Sequence, residues 1–113
     1  MSSISTHILD TARGTPAIGV AITLTKQDSH QWQAIGSGKT NMDGRVPDLC
    51  ENHPNLSPGT YKMHFDTKPY FTAMNNPVFY PYAEVVFTID HNRQHYHIPL
   101  LLSPFGYSTY RGS

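Results

Sequence analysis

The chain has 113 residues, which is enough for one domain and too few for two. Eight basic and eight acidic residues give a formal net charge of zero, so the composition indicates neither a nucleic-acid-binding protein nor one that binds an anionic membrane surface. The single cysteine, Cys50, excludes an intrachain disulfide and suits a reducing compartment. No segment approaches the ~18 apolar residues of a membrane-spanning helix, and the first residues lack the features of a signal peptide. We therefore predict a soluble, cytoplasmic protein.

The segment STHILD, residues 5–10, reads as an extended strand. Successive side chains of a strand point to opposite faces, so His7 shares one face with Ser5 and Leu9. The opposite face carries the remaining side chains of this region, Ile4, Thr6 and Ile8. A single histidine on a strand is usually structural, and the local sequence gives His7 no further assignment.

Three further segments alternate with a period of two: GVAITLT, TYKMHFDT and EVVFTID. Such alternation is typical of half-buried strands, and turn signals such as Asp43-Gly44 and Pro58-Gly59 separate them. Many short strands with regular turns predict an antiparallel sandwich or barrel. Arg45 follows the first of these turns, where an arginine is usually solvated but can also clamp a carbonyl or carboxylate group.

The segment KPYFTAMNNP, residues 68–77, departs from the strand pattern. Pro69 suits the N-terminus of a helix, and Tyr70, Phe71 and Met74 have helical spacing. The Asn-Asn-Pro sequence that follows is a stop signal for a helix. The segment fits either one short helix or a loop with aromatic anchors, and the sequence does not distinguish the two.

The segment HYHIPLLL, residues 95–102, predicts a strand that carries His95 and His97 on one face and apolar side chains on the other. Such a histidine pair can bind zinc or copper if a third ligand comes from elsewhere. It can also supply a general base, because imidazole titrates near neutral pH, or simply face solvent. Pro99 cannot donate to a ladder, so it predicts a bulge or a sheet edge within this strand.

The chain ends in YSTYRGS, which is unusually dense in hydrogen-bonding groups for a terminus. Together with the turn SPFG it predicts a hairpin against the HYHIPLLL strand. This hairpin would bring Arg111 and Ser113 close to the histidine pair. Gly112 lacks a side chain, so backbone or a ligand could approach closely there. A polar surface rich in histidine and arginine is therefore predicted near the C-terminus.

Other familiar catalytic signatures do not occur in the sequence. It contains no glycine-rich phosphate loop, no Cys-x-x-Cys, no His-Glu-x-x-His and no nucleophile elbow. Cys50 lies in the polar segment PDLCENHP without an adjacent base, so we interpret it as unreactive.

Three segments in chain order carry a family resemblance: ISTHILDTARGTPA, TNMDGR and HYHIPLLLSPFGYSTYRGS. Together they resemble the transthyretin-related 5-hydroxyisourate hydrolases, and the resemblance covers essentially the whole chain. The terminal Tyr-Arg-Gly-Ser is its most specific part. The hormone-carrying transthyretins share the fold but lack this tetrapeptide and the histidine found here at His7.

The resemblance implies one transthyretin-like domain over residues 1–113, built as an all-β, two-sheet antiparallel sandwich of about eight strands with one short helix. It implies a homotetramer, a dimer of dimers, whose active sites lie in clefts where dimers meet. It further implies hydrolysis of a small-molecule substrate, 5-hydroxyisourate, at a cyclic amide, during urate breakdown. The family uses no metal and no organic cofactor.

The family's functional residues match this chain position by position. The resemblance implies that the catalytic residues are His7, Arg45, His97 and Ser113. It implies that the substrate-binding residues are His7, Arg45, Tyr110, Arg111 and Gly112. His95 has no counterpart among them, and either His7 or His97 could be the general base that activates water.

Two other functions compete with hydrolysis. One is a carrier of small hydrophobic ligands, which would leave the polar set of His7, Arg45, His97 and Arg111 buried and unpaired. The other is a metal-dependent site built on His95, His97 and His7, which no Asp, Glu or Cys joins at a typical ligand spacing.

Overall fold

The computed structural model describes residues 3–53, 56–90 and 95–112, and Ser113 lies outside these ranges. Within them the chain forms nine strands and one helix. The elements are β1 (Ser3–Asp10), β2 (Thr15–Pro16), β3 (Ala21–Asp28), β4 (Gln31–Lys39), β5 (Arg45–Val46), β6 (Gly59–Asp66), α1 (Lys68–Ala73), β7 (Ala83–Ile89), β8 (His95–Ser103) and β9 (Gly106–Thr109).

The described strands form two sheets, so the predicted all-β sandwich is confirmed. One sheet has the order β2-β1-β8-β9, with β5 also paired to β1, and the other has the order β4-β3-β6-β7. The nine described strands agree with the predicted number of about eight, and two of them, β2 and β5, have only two residues each. The pairing of β1 with β8 is parallel, whereas the other strand pairs are antiparallel.

The core lies between the inner faces of the two sheets and follows the alternation read from the sequence. Ile4, Thr6 and Ile8 of β1 have no exposed surface, and Met63 and Phe65 of β6, in the other sheet, are equally buried. The hydroxyl of Thr6 donates to the backbone carbonyl of Ile98 at 2.6 Å, so the one polar side chain among them is satisfied. The odd-numbered side chains of β1 consequently point away from the core.

Pro99 lies in the interior of its sheet, because β8 runs between β1 and β9. The register with β1 stays constant from His95 through Leu102, so the predicted bulge or sheet edge is wrong. The backbone N–H of Gly112 donates to the carbonyl of His97, which shows that odd-numbered residues of β8 direct their backbone groups toward β9. The missing N–H of Pro99 therefore affects only the ladder with β9, which ends at Thr109.

The segment after β6 forms a helix, which decides between the two predicted alternatives. Helix α1 has Pro69 in its first turn and buries Phe71, and it ends sooner than the predicted segment 68–77. Asp10 ties this helix to the end of β1, because its carboxylate accepts hydrogen bonds from the Tyr70 hydroxyl at 2.7 Å and from the Arg13 N–H at 3.1 Å. In the described ranges no helix combines the length and apolar character needed to cross a bilayer.

Candidate active site

The outer face of the β1–β8 pair carries the histidines. The parallel register places Ser5 beside His97 and His7 beside Pro99. Odd-numbered residues of both strands point outward, so His7, His95 and His97 share one polar face of the five-stranded sheet. The predicted strand faces of both histidine segments are thus confirmed, and the fold brings segments almost 90 residues apart into direct contact.

A tight turn places Arg45 on the same face of the sheet as the histidines. Strand β5 pairs with β1 so that Arg45 is opposite His7. Gly44 precedes it with a φ of 73°, and a Cβ at this position would lie 2.7 Å from the backbone oxygen of Ile8. The side-chain oxygen of Asn41 accepts the Arg45 N–H at 3.1 Å and so holds the turn closed. Position 44 therefore requires glycine, because its φ is positive and no room is left for a Cβ atom. The turn in this way fixes the backbone position of Arg45.

The electrostatics of this face keep two imidazoles neutral. Partial burial, followed by the nearby Arg45 guanidinium, lowers the pKa of His7, and a hydrogen bond to the Asp43 carbonyl opposes this only in part. Partial burial also lowers the pKa of His97, with further contributions from Arg45, His95 and His7. A neutral imidazole beside a guanidinium is a pair that can accept a proton and stabilise negative charge at one place.

A hydroxyl group connects the two histidines of β8. Ser5 Oγ lies 2.7 Å from His97 Nδ1 and 3.0 Å from His95 Nε2. Ser3 Oγ is hydrogen-bonded to the remaining ring nitrogen of His95. The sequence interpretation missed the roles of Ser3 and Ser5, although their position on the His7 face of β1 was the available signal.

The C-terminal segment folds back onto β8, as the hairpin predicted. The N–H of Gly112 donates to the His97 carbonyl at 2.8 Å, and the two residues form an isolated antiparallel bridge. A Cβ at Gly112 would lie 2.5 Å from Cδ2 of the His97 ring, closer than real contacts allow. The absence of a side chain at Gly112 therefore permits the observed ring position.

The side chain of Arg111 lies on the other side of β8 from the histidines. Its guanidinium carbon is 5.0 Å from the ring centroid of Tyr96, within cation–π distance. Tyr96 alternates with His95 and His97 and is only 5% exposed, so its ring faces the core. The hairpin argument predicted Arg111 near the histidine pair, and Arg111 does line the same cavity as His97, although its guanidinium lies over Tyr96. Residue 111 comes opposite Ile98 when Gly112 is opposite His97, so its side chain lies on the Tyr96 face of β8, where Arg111 remains exposed.

The tail exposes the side chain of Tyr110 and borders a cavity. The Tyr110 side chain is 59% exposed. A cavity of about 210 Å³ lies beneath the tail, with Phe87, Tyr96 and Arg111 among its lining residues. The lining of this cavity is mainly apolar, and it also includes His97 and Tyr110.

Two further candidates receive no support from the geometry. Within the described parts of the chain, no three His, Cys, Asp or Glu side chains are arranged to hold a metal ion, so His7, His95 and His97 do not form a ligand set. The Cys50 thiol is fully buried, and burial followed by its hydrogen bond to Asp48 raises its pKa to about 12. A thiol that stays protonated is a poor nucleophile, which agrees with the sequence interpretation.

The sequence and the fold both place the chain among known proteins. The model of the HIUase/Transthyretin family matches residues 4–112. The chain belongs to this family. The mouse (Mus musculus) 5-hydroxyisourate hydrolase is 47% identical to this chain over 114 residues. The aligned region covers 99% of this chain and 96% of the mouse protein.

The fold of this chain resembles solved structures of both a hydrolase and a transthyretin. The 5-hydroxyisourate hydrolase of Klebsiella pneumoniae is 34% identical, has a TM-score of 0.87, and matches over 100% of both chains. Sea bream transthyretin in complex with thyroxine is 35% identical, has a TM-score of 0.89, and matches over 97% of this chain and 94% of the other. The fold alone therefore does not separate a hydrolase from a carrier.

The Arg45→Gln substitution tests the electrostatics of this face. Removing the guanidinium removes a positive charge that disfavours both imidazolium ions, so we expect the pKa values of His7 and His97 to rise. Titration of the histidine ring signals by NMR measures both values. Lys39→Gln, a loss of one exposed cation on β4, is the matched control and should leave them unchanged. Unaltered titration in Arg45→Gln would contradict the assignment.

Proposed function

We propose that this protein is a 5-hydroxyisourate hydrolase, which converts this product of urate oxidation to 2-oxo-4-hydroxy-4-carboxy-5-ureidoimidazoline. The observation that carries the proposal is the convergence of His7, Arg45 and His97 on one outward face. Two neutral imidazoles beside one guanidinium suit hydrolysis of a carbonyl compound. The names of the mouse and Klebsiella relatives support the choice of substrate.

A carrier function fits the same face less well. An apolar ligand seated there would remove water from the imidazoles and the guanidinium without replacing their hydrogen bonds. A planar, carbonyl-rich ring offers acceptors to Arg45 and both donors and acceptors to the histidines. The chemistry of the face therefore favours hydrolysis of a polar heterocycle over storage of an apolar ligand.

The first step joins water to the attacked carbonyl. His97 Nε2 accepts a proton from the water while the water oxygen forms a bond to the carbonyl carbon of the cyclic amide. Negative charge develops on the carbonyl oxygen, and Arg45 stabilises it because its cation is already in place. The lowered pKa of His97 keeps the ring neutral and ready to act at neutral pH.

The second step opens the ring. The tetrahedral intermediate collapses, the bond between carbon and ring nitrogen breaks, and the proton held by His97 passes to the departing nitrogen. A carboxylic acid and a new N–H group result, and His97 returns to its neutral form. Water is the only co-reactant, so the proposal needs neither a metal nor an organic cofactor.

The remaining site residues bind the substrate in this proposal. His7 donates one ring N–H to the Asp43 carbonyl, which leaves its other nitrogen to contact the substrate ring. Tyr110 and Gly112 form the rim on the tail side, and Arg111 fastens that rim to β8 through Tyr96. Ser113 directly follows Gly112, and we include its hydroxyl as a partner in proton transfer.

The His97→Asn substitution tests this function. Asparagine keeps a polar group but cannot accept the proton, so kcat for consumption of freshly generated 5-hydroxyisourate should fall by roughly 10²–10⁴-fold. The wild-type rate should decline in acid only below the ordinary imidazole pKa of about 6.5, because the pKa of His97 is lowered. Loss of the substrate absorbance measures both quantities.

The exposed His30, in the turn between β3 and β4, provides the matched control. His30→Asn should retain the wild-type rate. A wild-type protein that does not accelerate substrate loss would refute the proposed function. Equal rates for His97→Asn and the wild type would refute the role of His97 alone.

The Gly112→Ala substitution tests the contact between the tail and His97. The added methyl group must displace the His97 ring, and a small misplacement of a catalytic group can lower kcat by roughly 10²-fold. Gly106→Ala is the matched control, because its Cβ would meet Ser103 Oγ at an ordinary 3.9 Å. Steady-state kinetics and melting temperature together separate this local effect from unfolding. Comparable kcat values for the two variants would contradict the proposed effect of the tail on the position of the His97 ring.

We further propose that the protein assembles as a homotetramer, with the substrate in a cleft shared by subunits. An exposed aromatic patch, comprising Phe79, Tyr80 and Tyr107, supports association: its rings pack edge to face at 4.8 and 5.5 Å. Exposed aromatic clusters of this kind are typical of protein interfaces. Sedimentation velocity should give the mass of four chains, and a monomer at assay concentration would contradict this assembly.

A further inference from the structure

One buried hydroxyl lies between two imidazole rings on the outer face of the β1–β8 pair. Ser5 is 9% exposed, and its Oγ is within hydrogen-bonding distance of His97 Nδ1 and of His95 Nε2. Ser3 Oγ contacts the other nitrogen of His95. The two rings are nearly parallel, at an interplanar angle of 15°. The four side chains form a continuous chain of hydrogen bonds from the half-buried Ser3, through the exposed His95 and Ser5, to His97.

We propose that Ser5 is a positioning residue that fixes the tautomer of His97, and that His95 fixes the direction in which the Ser5 hydroxyl points. The inference rests on the proposed role of His97 as general base. It assigns a function to Ser5 and His95, which the family resemblance did not include among the site residues.

The argument follows from counting hydrogens along the chain. A general base must keep a lone pair on the nitrogen that meets water, so His97 must carry its single hydrogen on Nδ1 and donate it to Ser5. Ser5 then has its own hydrogen to donate to His95 Nε2. His95 in turn carries its hydrogen on Nδ1 and donates it to Ser3. Each of the three contacts therefore contains one hydrogen, so every donor in the chain of hydrogen bonds meets an acceptor.

A hydroxyl suits this position better than a carboxylate would. A carboxylate at Nδ1 would raise the pKa of the ring, whereas a hydroxyl orients the ring without adding a negative charge. The charged or titratable groups that face His97 are Arg45 of β5, His7 of β1 and His95 of β8. The structure thus combines an orienting hydrogen bond with surroundings that leave the base neutral.

The tautomer itself is measured by ¹⁵N NMR of the histidine rings, which distinguishes a protonated ring nitrogen from a bare one. In the wild type we expect His97 to be protonated at Nδ1. In Ser5→Ala this preference should weaken, and the Nε2-protonated form should become detectable. A wild-type His97 protonated at Nε2 would overturn the proposal. This measurement does not depend on turnover, so it stands even if the substrate assignment fails.

Kinetics supply the second readout. Loss of one orienting hydrogen bond should lower kcat of Ser5→Ala by about 3- to 10-fold, with KM nearly unchanged. The acid limb of the pH profile should move to lower pH, because the imidazolium loses an acceptor that stabilises it. Ser5→Thr keeps the hydroxyl and should restore the wild-type rate and profile. Ser37→Ala, the same change at an exposed site in β4, should have no effect.

The role of His95 is tested by two substitutions at one exposed position. His95→Gln keeps an acceptor for the Ser5 hydroxyl, so it should preserve the His97 tautomer and most of kcat. His95→Ala removes that acceptor and lets the hydroxyl turn toward His97 Nδ1, so it should raise the Nε2-protonated form and lower kcat. Equal behaviour of the two variants would overturn the assignment to His95. An unchanged pH profile in Ser5→Ala, despite a lower kcat, would indicate a merely structural serine and overturn the assignment to Ser5.

Discussion

The parallel pairing of β1 with β8 is the constraint on which the rest of the site depends. It joins segments from the two ends of the chain in a register that stays constant over eight residue pairs. Because strand side chains alternate, this single register decides that Ile4 and Ile8 enter the core while Ser5 and His7 meet the histidines of β8. A slip by one residue would exchange the two sets, burying polar groups and exposing the core, so core packing and site geometry enforce the same register.

The chemistry of the face comes from placing one permanent cation beside groups that can lose their charge. Partial burial lowers the pKa values of His7 and His97, and the positive charge of the Arg45 guanidinium lowers both further. The Gly44 turn fixes where Arg45 leaves the backbone, and the Ser5 hydroxyl fixes the ring of His97. In the proposed mechanism, the proton acceptor and the group that stabilises the oxyanion are therefore in place before the substrate binds, which is the condition for electrostatic catalysis.

Local sequence patterns predicted the structural features that depend on strand alternation and on turns. The faces of the strands, the Asp-Gly turn before Arg45 and the fold-back of the tail all follow from residues close together in the chain. Features that depend on distant pairings were not accessible in this way. The contact of Ser5 with His97 requires the parallel register, which no local period specifies. The contact of the Arg111 guanidinium with Tyr96 likewise depends on which β8 residue Gly112 faces, and the sequence predicted only that Arg111 lies near the histidines.

Pro99 explains why the tail is held by few but specific contacts. Pro99 has no N–H to donate to the tail, so the ladder with β9 is interrupted after Thr109, although the His97–Gly112 bridge keeps the same register. The tail rejoins β8 through the Gly112 N–H, and Arg111 secures it over the ring of Tyr96. A segment attached in this manner can adjust to a ligand at lower cost than a fully paired strand, which suits residues proposed to bind substrate. Pro99 thus separates the β8–β9 hairpin from the tail segment that is proposed to bind substrate.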